Sequence, residues 1–357
     1  MLLFMLYVVG MTVATIACLY LLLRRGNAFA PDIVTPDRLR RWTAVFFASV
    51  ALGHLWYMPA EVLTSDDAVM LSMLAGGLLD CLVVIPLAIV VLLCMLQDRR
   101  RPLWPAFAVA VPLVVGMAVC IATRSDALLP MLRVYLLLLG IGLIIYMVRA
   151  VRQYGRWLRD NYADLEHKEV WQSFMVVAVI LLMLFIYVGG FGGPAYEYIV
   201  QACGIAMVCY LLWRVETLSD LSIASQQSQP VEEEAPDFHS ETPPDDIERL
   251  LQKHCIDSQL YLQHDLTVTQ LARAIGTNHF YLSQYFARLD TNYNAYINDL
   301  RIDHFVRLYR EAVANQSPVN AQQLASKSGY RSYSTFSLAF KQRKGQSVTA
   351  WMRDMAG

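Results

Sequence analysis

The first 215 residues contain seven long apolar runs, and these runs constrain the fold more than any other feature of the chain. A helix needs roughly 20 apolar residues to cross about 30 Å of hydrocarbon, and each run is close to that length or longer. We predict membrane spans at Leu2–Leu23, Trp42–Ala60, Val69–Met95, Leu103–Thr123, Leu128–Val148, Trp171–Gly190 and Tyr196–Trp213. The third run is long, so we expect either a tilted helix or a helix kinked at Pro86. This half of the chain is therefore predicted to be an all-α, polytopic bundle of about seven spans.

The loops between these runs differ sharply in charge. One side carries fourteen basic residues, whereas the other carries only Arg124. The fourteen are Arg24, Arg25, Arg38, Arg40, Arg41, Arg99, Arg100, Arg101, Arg149, Arg152, Arg156, Arg159, Lys168 and Arg214. Because cytoplasmic loops are enriched in Lys and Arg, we expect the N-terminus outside and the chain after the last span in the cytoplasm.

The composition changes after residue 215. Residues 216–245 contain no Lys or Arg, and their stretch Ser222–Asp245 is rich in Gln, Ser, Pro and acidic residues. Such a stretch has too few apolar residues to form a core. From residue 246 the pattern is helical, with no strand-like alternation. We therefore predict a transmembrane domain at 1–215, a disordered acidic linker at 216–245 and a soluble helical domain at 246–357.

The soluble part contains an internal duplication. The segment Leu266–Phe286 matches Val319–Phe340, with Leu271, Ala272 and Gly276 repeated as Leu324, Ala325 and Gly329 at an offset of 53 residues. This pattern is typical of a helix-turn-helix unit, in which a small residue lets two helices cross and a glycine supplies the positive φ of the turn.

Capping residues place the helices of each copy. Thr267 and Gln270 form a capping box that opens the first helix of the first copy. Thr277 and Ser332 are predicted to cap the second helices. Between the copies, Tyr293–Ala314 is predicted to be one long helix that sets their separation.

These residues resemble the AraC/XylS family of bacterial transcription regulators over roughly Ile247–Met355. The resemblance rests on Leu271, Ala272, Gly276, Leu282, Phe286, Tyr296–Ile302, Leu324, Ala325, Gly329, Tyr330, Phe336, Phe340, Lys341, Gly345 and Trp351. The chain departs from the family where the glycine usual after the first reading helix is absent from Leu289–Thr291.

The resemblance implies two helices that read DNA, at Thr277–Ala287 and Ser332–Lys341. Base-reading positions would be Phe280, Ser283, Gln284, Tyr333, Ser334 and Ser337. Phosphate contacts are expected from Arg288, Lys327, Arg331 and Lys341, which lie close to those helices. From Tyr261 onward the chain has 11 basic and 6 acidic residues, a balance of +5 that suits a DNA-binding surface.

Three polar residues lie within predicted spans: His54, Asp80 and Arg133. Intramembrane charges are costly and often functional, so these residues are candidates for sensing a signal. An equal alternative is a structural ion pair between Asp80 and Arg133.

The combined interpretation is a membrane-anchored, one-component transcription regulator in the bacterial inner membrane. Its expected partners are double-stranded promoter DNA, RNA polymerase, the lipid bilayer and an unknown small-molecule or membrane signal, and a homodimer is left open. No catalytic motif, cofactor motif or Cys/His spacing of a metal site is found, so we predict neither an enzyme nor a cofactor. The alternative is a transporter-like or sensor membrane protein whose C-terminal domain docks a protein instead of DNA.

Overall fold

The computed structural model describes residues 2–57, 63–176, 178–179, 194–221 and 244–356. Its described residues form an all-helical protein without strands, as predicted, with one isolated antiparallel bridge between Tyr162 and Thr267. The chain divides into two compact units. Unit 1 contains residues 1–154 and 170–222, and unit 2 contains residues 155–169 and 223–357.

Unit 1 contains the apolar helices. They are α1 (Leu2–Leu23), α2 (Asp37–Tyr57), α3 (Asp66–Leu79), α4 (Ile85–Met95), α5 (Trp104–Ala108), α6 (Val111–Thr123), most of α7 (Leu129–Asn161) and α8 (Pro194–Glu216). Five described helical stretches are long and apolar enough to cross a membrane: Leu2–Leu23, Asp66–Met95, Trp104–Thr123, Leu129–Asn161 and Tyr196–Glu216.

Two of the seven predicted spans are not among these five. Helix α2 begins with a charged turn containing Arg38, Arg40 and Arg41, so only its part after Arg41 is apolar, and residues 58–62 lie outside the described residues. The span predicted at Trp171–Gly190 lies largely outside the described residues.

Small residues allow close helix contacts in unit 1. The buried positions of α1 are Gly10, Ala14, Ala17, Cys18 and Leu21, which recur on one helical face. A Cβ on Gly10 would overlap the His54 ring of α2. Small residues at such positions let the backbones of two helices approach closely.

The third run is irregular where Pro86 interrupts it. Residues Asp80–Val84 form a π-helical turn between α3 and α4, and Pro86 occupies the first turn of α4. Proline has no N–H and its ring crowds the carbonyl four residues earlier, so the hydrogen-bond register shifts there. The third run thus contains a π-bulge, and the predicted tilt or kink stays a prediction.

Two arginines of the loops in unit 1 form ion pairs with carboxylates. Arg24 Nε lies 3.2 Å from Glu216 Oε2, and Arg101 Nη1 lies 2.6 Å from Asp98 Oδ1. All four side chains are at least nine-tenths buried.

The chain after α8 is also packed, since Leu218 and Leu221 are buried. Both residues belong to the stretch that was predicted to be a linker.

Unit 2 contains the helices of the C-terminal region together with the end of α7. They are α9 (Pro244–Leu251, continued by a π-helical turn at Gln252–Asp257), α10 (Val268–Ala274), α11 (His279–Arg288), α12 (Tyr293–Ala314), α13 (Ala321–Lys327), α14 (Tyr333–Lys344) and α15 (Val348–Ala356). Helix α12 has the predicted bounds of the connecting helix.

Two hydrophobic clusters lie along α12. The first packs Ile297 of α12 against α9, α10 and α11, and it includes Ala163 from the segment that follows α7. The second packs Phe305 of α12 against Phe336 and Phe340 of α14, with ring centroids 4.5 and 5.7 Å from that of Phe305. The first cluster thus forms the core of α10 and α11, and the second forms the core of α13 and α14. Helix α12 contributes residues to both clusters.

Candidate nucleic-acid interface

The first helix pair is α10 and α11. Thr267 accepts a hydrogen bond from the Gln270 N–H, and the Gln270 side chain accepts one from the Thr267 N–H, so the predicted capping box is confirmed. Gly276 has φ +75° in the turn, which also confirms the prediction. The cap of α11, however, is Asn278, whose Oδ1 accepts from the Tyr281 N–H. Thr277 lies one residue too early, so its predicted capping role is wrong.

The second helix pair, α13 and α14, repeats this arrangement. Asn320 caps α13, and Ser332 caps α14 by accepting from the Thr335 N–H, as predicted. Gly329 has φ +88° in the turn. A Cβ there would lie 2.8 Å from the Leu262 carbonyl oxygen, so this glycine is required by packing as well as by φ.

The turn after α11, at Leu289–Thr291, contains no glycine. Asp290 has φ +52°, a left-handed conformation that Asp tolerates better than most residues. The chain therefore turns from α11 into α12 without a glycine, and Asn292 caps α12 by accepting from the Ala295 N–H.

The predicted base-reading residues lie on α11 and α14. Phe280 is 67% exposed, Gln284 and Ser334 are exposed, and Ser283, Tyr333 and Ser337 are half-buried. The buried faces of the two helices carry Leu282 and Phe286, and Phe336 and Phe340. Each helix therefore turns an apolar face to its own core and leaves the predicted reading positions at least partly accessible.

The four predicted phosphate-binding residues are all exposed. Arg331 Nη1 lies 3.2 Å from Asp265 Oδ2, and Lys168 Nζ lies 2.9 Å from the other oxygen of the same carboxylate. Burial raises the pKa of Asp265, but the charges of Lys168 and Arg331 outweigh it and leave that pKa below its usual value. Arg331 is therefore already paired with a carboxylate in this structure.

Residues outside the predicted soluble domain also contact α11 and α14. His279, the first residue of α11, has its Nε2 3.2 Å from Asn161 Oδ1, at the end of α7. Thr335 of α14 donates from Oγ1 to Glu166 Oε2 at 3.0 Å. Burial lowers the pKa of His279, while the Asp160 carboxylate raises it, and the net shift is downward. No motif in residues 155–169 indicated these contacts, because the segment was assigned to a loop between spans.

The three polar residues predicted to lie within spans, His54, Asp80 and Arg133, are not joined in one site by the described contacts. Asp80 Oδ2 accepts a hydrogen bond from Tyr57 Oη at 2.7 Å. His54 packs against the Tyr7 ring and has Nδ1 2.7 Å from the Val50 carbonyl. Arg133 is exposed on unit 1, and among the described residues it forms no ion pair with Asp80.

Comparison with known proteins gives one match. The model of a family described as "Helix-turn-helix domain" matches residues 271–354, which begin within α10, contain α11 to α14 and end within α15. This match supports an AraC-type helix-turn-helix domain at the C-terminus and a DNA-binding transcription regulator. No curated protein and no solved structure was found to match the chain.

Proposed function

We propose that this chain is a membrane-anchored, sequence-specific transcription regulator that reads DNA with α11 and α14. The observation that carries the proposal is the repeated arrangement of α10–α11 and α13–α14 on the single helix α12, nearly all of it within the region matched by a helix-turn-helix family. Recognition helices of this kind place their N-terminal residues in the major groove, and here those positions are at least partly accessible. Two such helices on one connector suit successive major-groove segments about one helical turn apart.

Membrane anchoring rests on the five apolar helices and on the charge of the loops. We propose seven spans in the bacterial inner membrane, with residues 1–215 as the membrane domain, 216–245 as a linker and 246–357 as the DNA-binding domain. His54, Asp80 and Arg133 remain the proposed sensing residues. RNA polymerase and a second copy of the chain are the proposed protein partners.

Topology gives the first test. A reporter fused after Gly357 should behave as cytoplasmic, and one inserted near Asp66 should behave as external, because basic loops stay on the cytoplasmic side. Alkaline phosphatase and a fluorescent protein, which are active on opposite sides of the membrane, provide matched readouts. An external C-terminus would overturn the proposal, since the DNA-binding region could not reach the chromosome.

Binding to DNA is tested with the full-length protein in lipid nanodiscs. We expect it to select a shared sequence from a pool of random DNA duplexes. Gln284→Ala should weaken binding to the selected duplex by about 1–3 kcal/mol, the range for one good base contact, and Ser334→Ala should act in the same direction. Both should change binding to random duplexes much less.

Lys341→Ala is the matched control for base reading. It should weaken binding to selected and random duplexes alike and reduce the salt slope by about one. If all three variants lose affinity equally on both kinds of DNA, the reading faces are misplaced. If the wild-type protein selects no sequence, the protein-docking alternative replaces this proposal.

A further inference from the structure

Residues 155–169 pack as part of unit 2, although more than 70 residues separate them from α9. Ala163 is buried in the first hydrophobic cluster, and its N–H donates to the Leu266 carbonyl at 3.1 Å. Asn294 of α12 donates from Nδ2 to the carbonyls of Tyr162 and Ala163, at 3.2 and 2.6 Å. Main-chain groups of the segment are thus bonded both to the loop before α10 and to α12.

Asp164 is the central side chain of this segment. Its Oδ1 accepts from Arg301 Nη1 at 2.7 Å, and its Oδ2 accepts from the Asp265 N–H at 2.8 Å. The Arg301 side chain is 0% exposed and that of Asp164 is 6% exposed. A buried guanidinium needs both a countercharge and hydrogen-bond acceptors, and Asp164 supplies the countercharge.

Arg301 lies on α12 between Ile297, which belongs to the first hydrophobic cluster, and Ile302, which belongs to the second. Its Nε donates to the Tyr261 carbonyl and its Nη2 to the Gln263 carbonyl, both at 2.8 Å, in the chain that leads into α10. Its guanidinium carbon lies 5.4 Å from the centroid of the Tyr330 ring, next to the turn of the second pair. Arg301 therefore contacts both the chain before the first helix pair and the turn of the second.

The same segment also touches both reading helices near their N-termini. Asn161 contacts His279 of α11, and Glu166 contacts Thr335 of α14. Asp164, which lies between Asn161 and Glu166 in the sequence, binds Arg301 of α12. One short stretch of chain therefore connects α11, α12 and α14.

We propose that Asp164 is a positioning residue for DNA reading: with Arg301 it sets the separation of α11 and α14, and residues 155–169 are a structural component of the DNA-binding unit. The inference rests on the proposed function, because it concerns how the two helices meet successive grooves. An insertion of one base pair moves one groove segment by about 3.4 Å and rotates it around the duplex axis. A rigid pair of reading helices should reject such a duplex, and a loosened pair should tolerate it.

The test uses full-length protein in nanodiscs and two duplexes. One is the duplex that the wild type selects from the random pool, and the other has one base pair inserted between its two half-sites. Wild type should prefer the selected duplex by roughly tenfold or more, comparable to a mismatch in a specific site. Asp164→Asn should lose most of that preference, with affinity falling for the selected duplex and little changed for the other.

Glu169→Gln is the matched control. It removes a carboxylate from an exposed position in the same segment and leaves both residues of the Asp164–Arg301 ion pair unchanged. We expect it to keep the wild-type preference. Should Asp164→Asn prove unfolded by hydrogen exchange, the double variant Asn161→Ala, Glu166→Gln keeps the buried pair and should also reduce the preference.

The outcomes separate this inference from the function on which it rests. If Asp164→Asn loses affinity equally on both duplexes, the positioning role is overturned and DNA reading stands. The same holds if neither the Asp164 variant nor the double variant loses the preference. A wild-type protein that selects no duplex overturns the proposed function and this inference together.

Discussion

Replacing Arg301 by methionine should lower the free energy of unfolding of unit 2 by about 3–5 kcal/mol, the usual cost of breaking a buried ion pair from one side. The variant leaves the Asp164 carboxylate almost fully buried without its cation, and it removes the donors to the carbonyls of Tyr261 and Gln263. Small domains have only about 5–15 kcal/mol of stability, so this loss is large. Amide hydrogen exchange of the full-length protein, followed in peptides from α10 to α14, measures it.

Further variants test the cause of that loss. Arg310→Met changes an exposed arginine on the same helix and should alter stability by no more than about 0.5 kcal/mol. Adding Asp164→Leu to Arg301→Met removes both buried charges and should recover part of the stability. The single variant Asp164→Leu completes the comparison. If the stability lost by the double variant equals the sum of the losses in Arg301→Met and Asp164→Leu, the two residues act independently and the ion pair is not the cause.

Gly329→Ala should destabilise unit 2 by about 2–5 kcal/mol. A left-handed conformation costs a residue with a Cβ about 1–2 kcal/mol, and overpacking adds about 1–3 kcal/mol. The new methyl group would lie 2.8 Å from the Leu262 carbonyl oxygen and 2.9 Å from its Cα, so backbone would have to move. The same hydrogen-exchange measurement should show faster exchange in α13 and α14.

Gly276→Ala is the matched control for this prediction. Gly276 has a similar φ, +75° against +88°, but nothing lies within 4 Å of its Cβ position. Its variant should therefore lose only the conformational part, about 1–2 kcal/mol. Equal losses in the two variants would contradict the packing role of Gly329 and leave only its φ.

Local signals in the sequence predicted local structure well. The capping box at Thr267, the left-handed turns at Gly276 and Gly329 and the bounds of α12 depend on a few neighbouring residues, and the structure confirms them. The cap of α11 was misplaced by one residue because Thr277 and Asn278 are both good capping residues. Propensity alone does not decide between adjacent candidates.

Contacts between segments that are distant in the sequence could not be predicted from such local signals. Asp164 and Arg301 are 137 residues apart, and Asp164 lies in a loop whose charges served only to predict orientation. Likewise, Asp80 was paired in hypothesis with Arg133, whereas its described hydrogen bond is with Tyr57. A lone sequence shows that a buried charge needs a partner, but packing chooses which partner.

Crosslinking protein to DNA in cells, followed by sequencing of the DNA recovered with the membrane fraction, tests whether a membrane-embedded chain reads chromosomal sequence. We expect discrete chromosomal sites that share the sequence selected in vitro. These sites should be lost in a Gln284→Ala, Ser334→Ala variant present at wild-type abundance. Recovery of DNA without preferred sites, or the same sites from the variant, would contradict the proposed function.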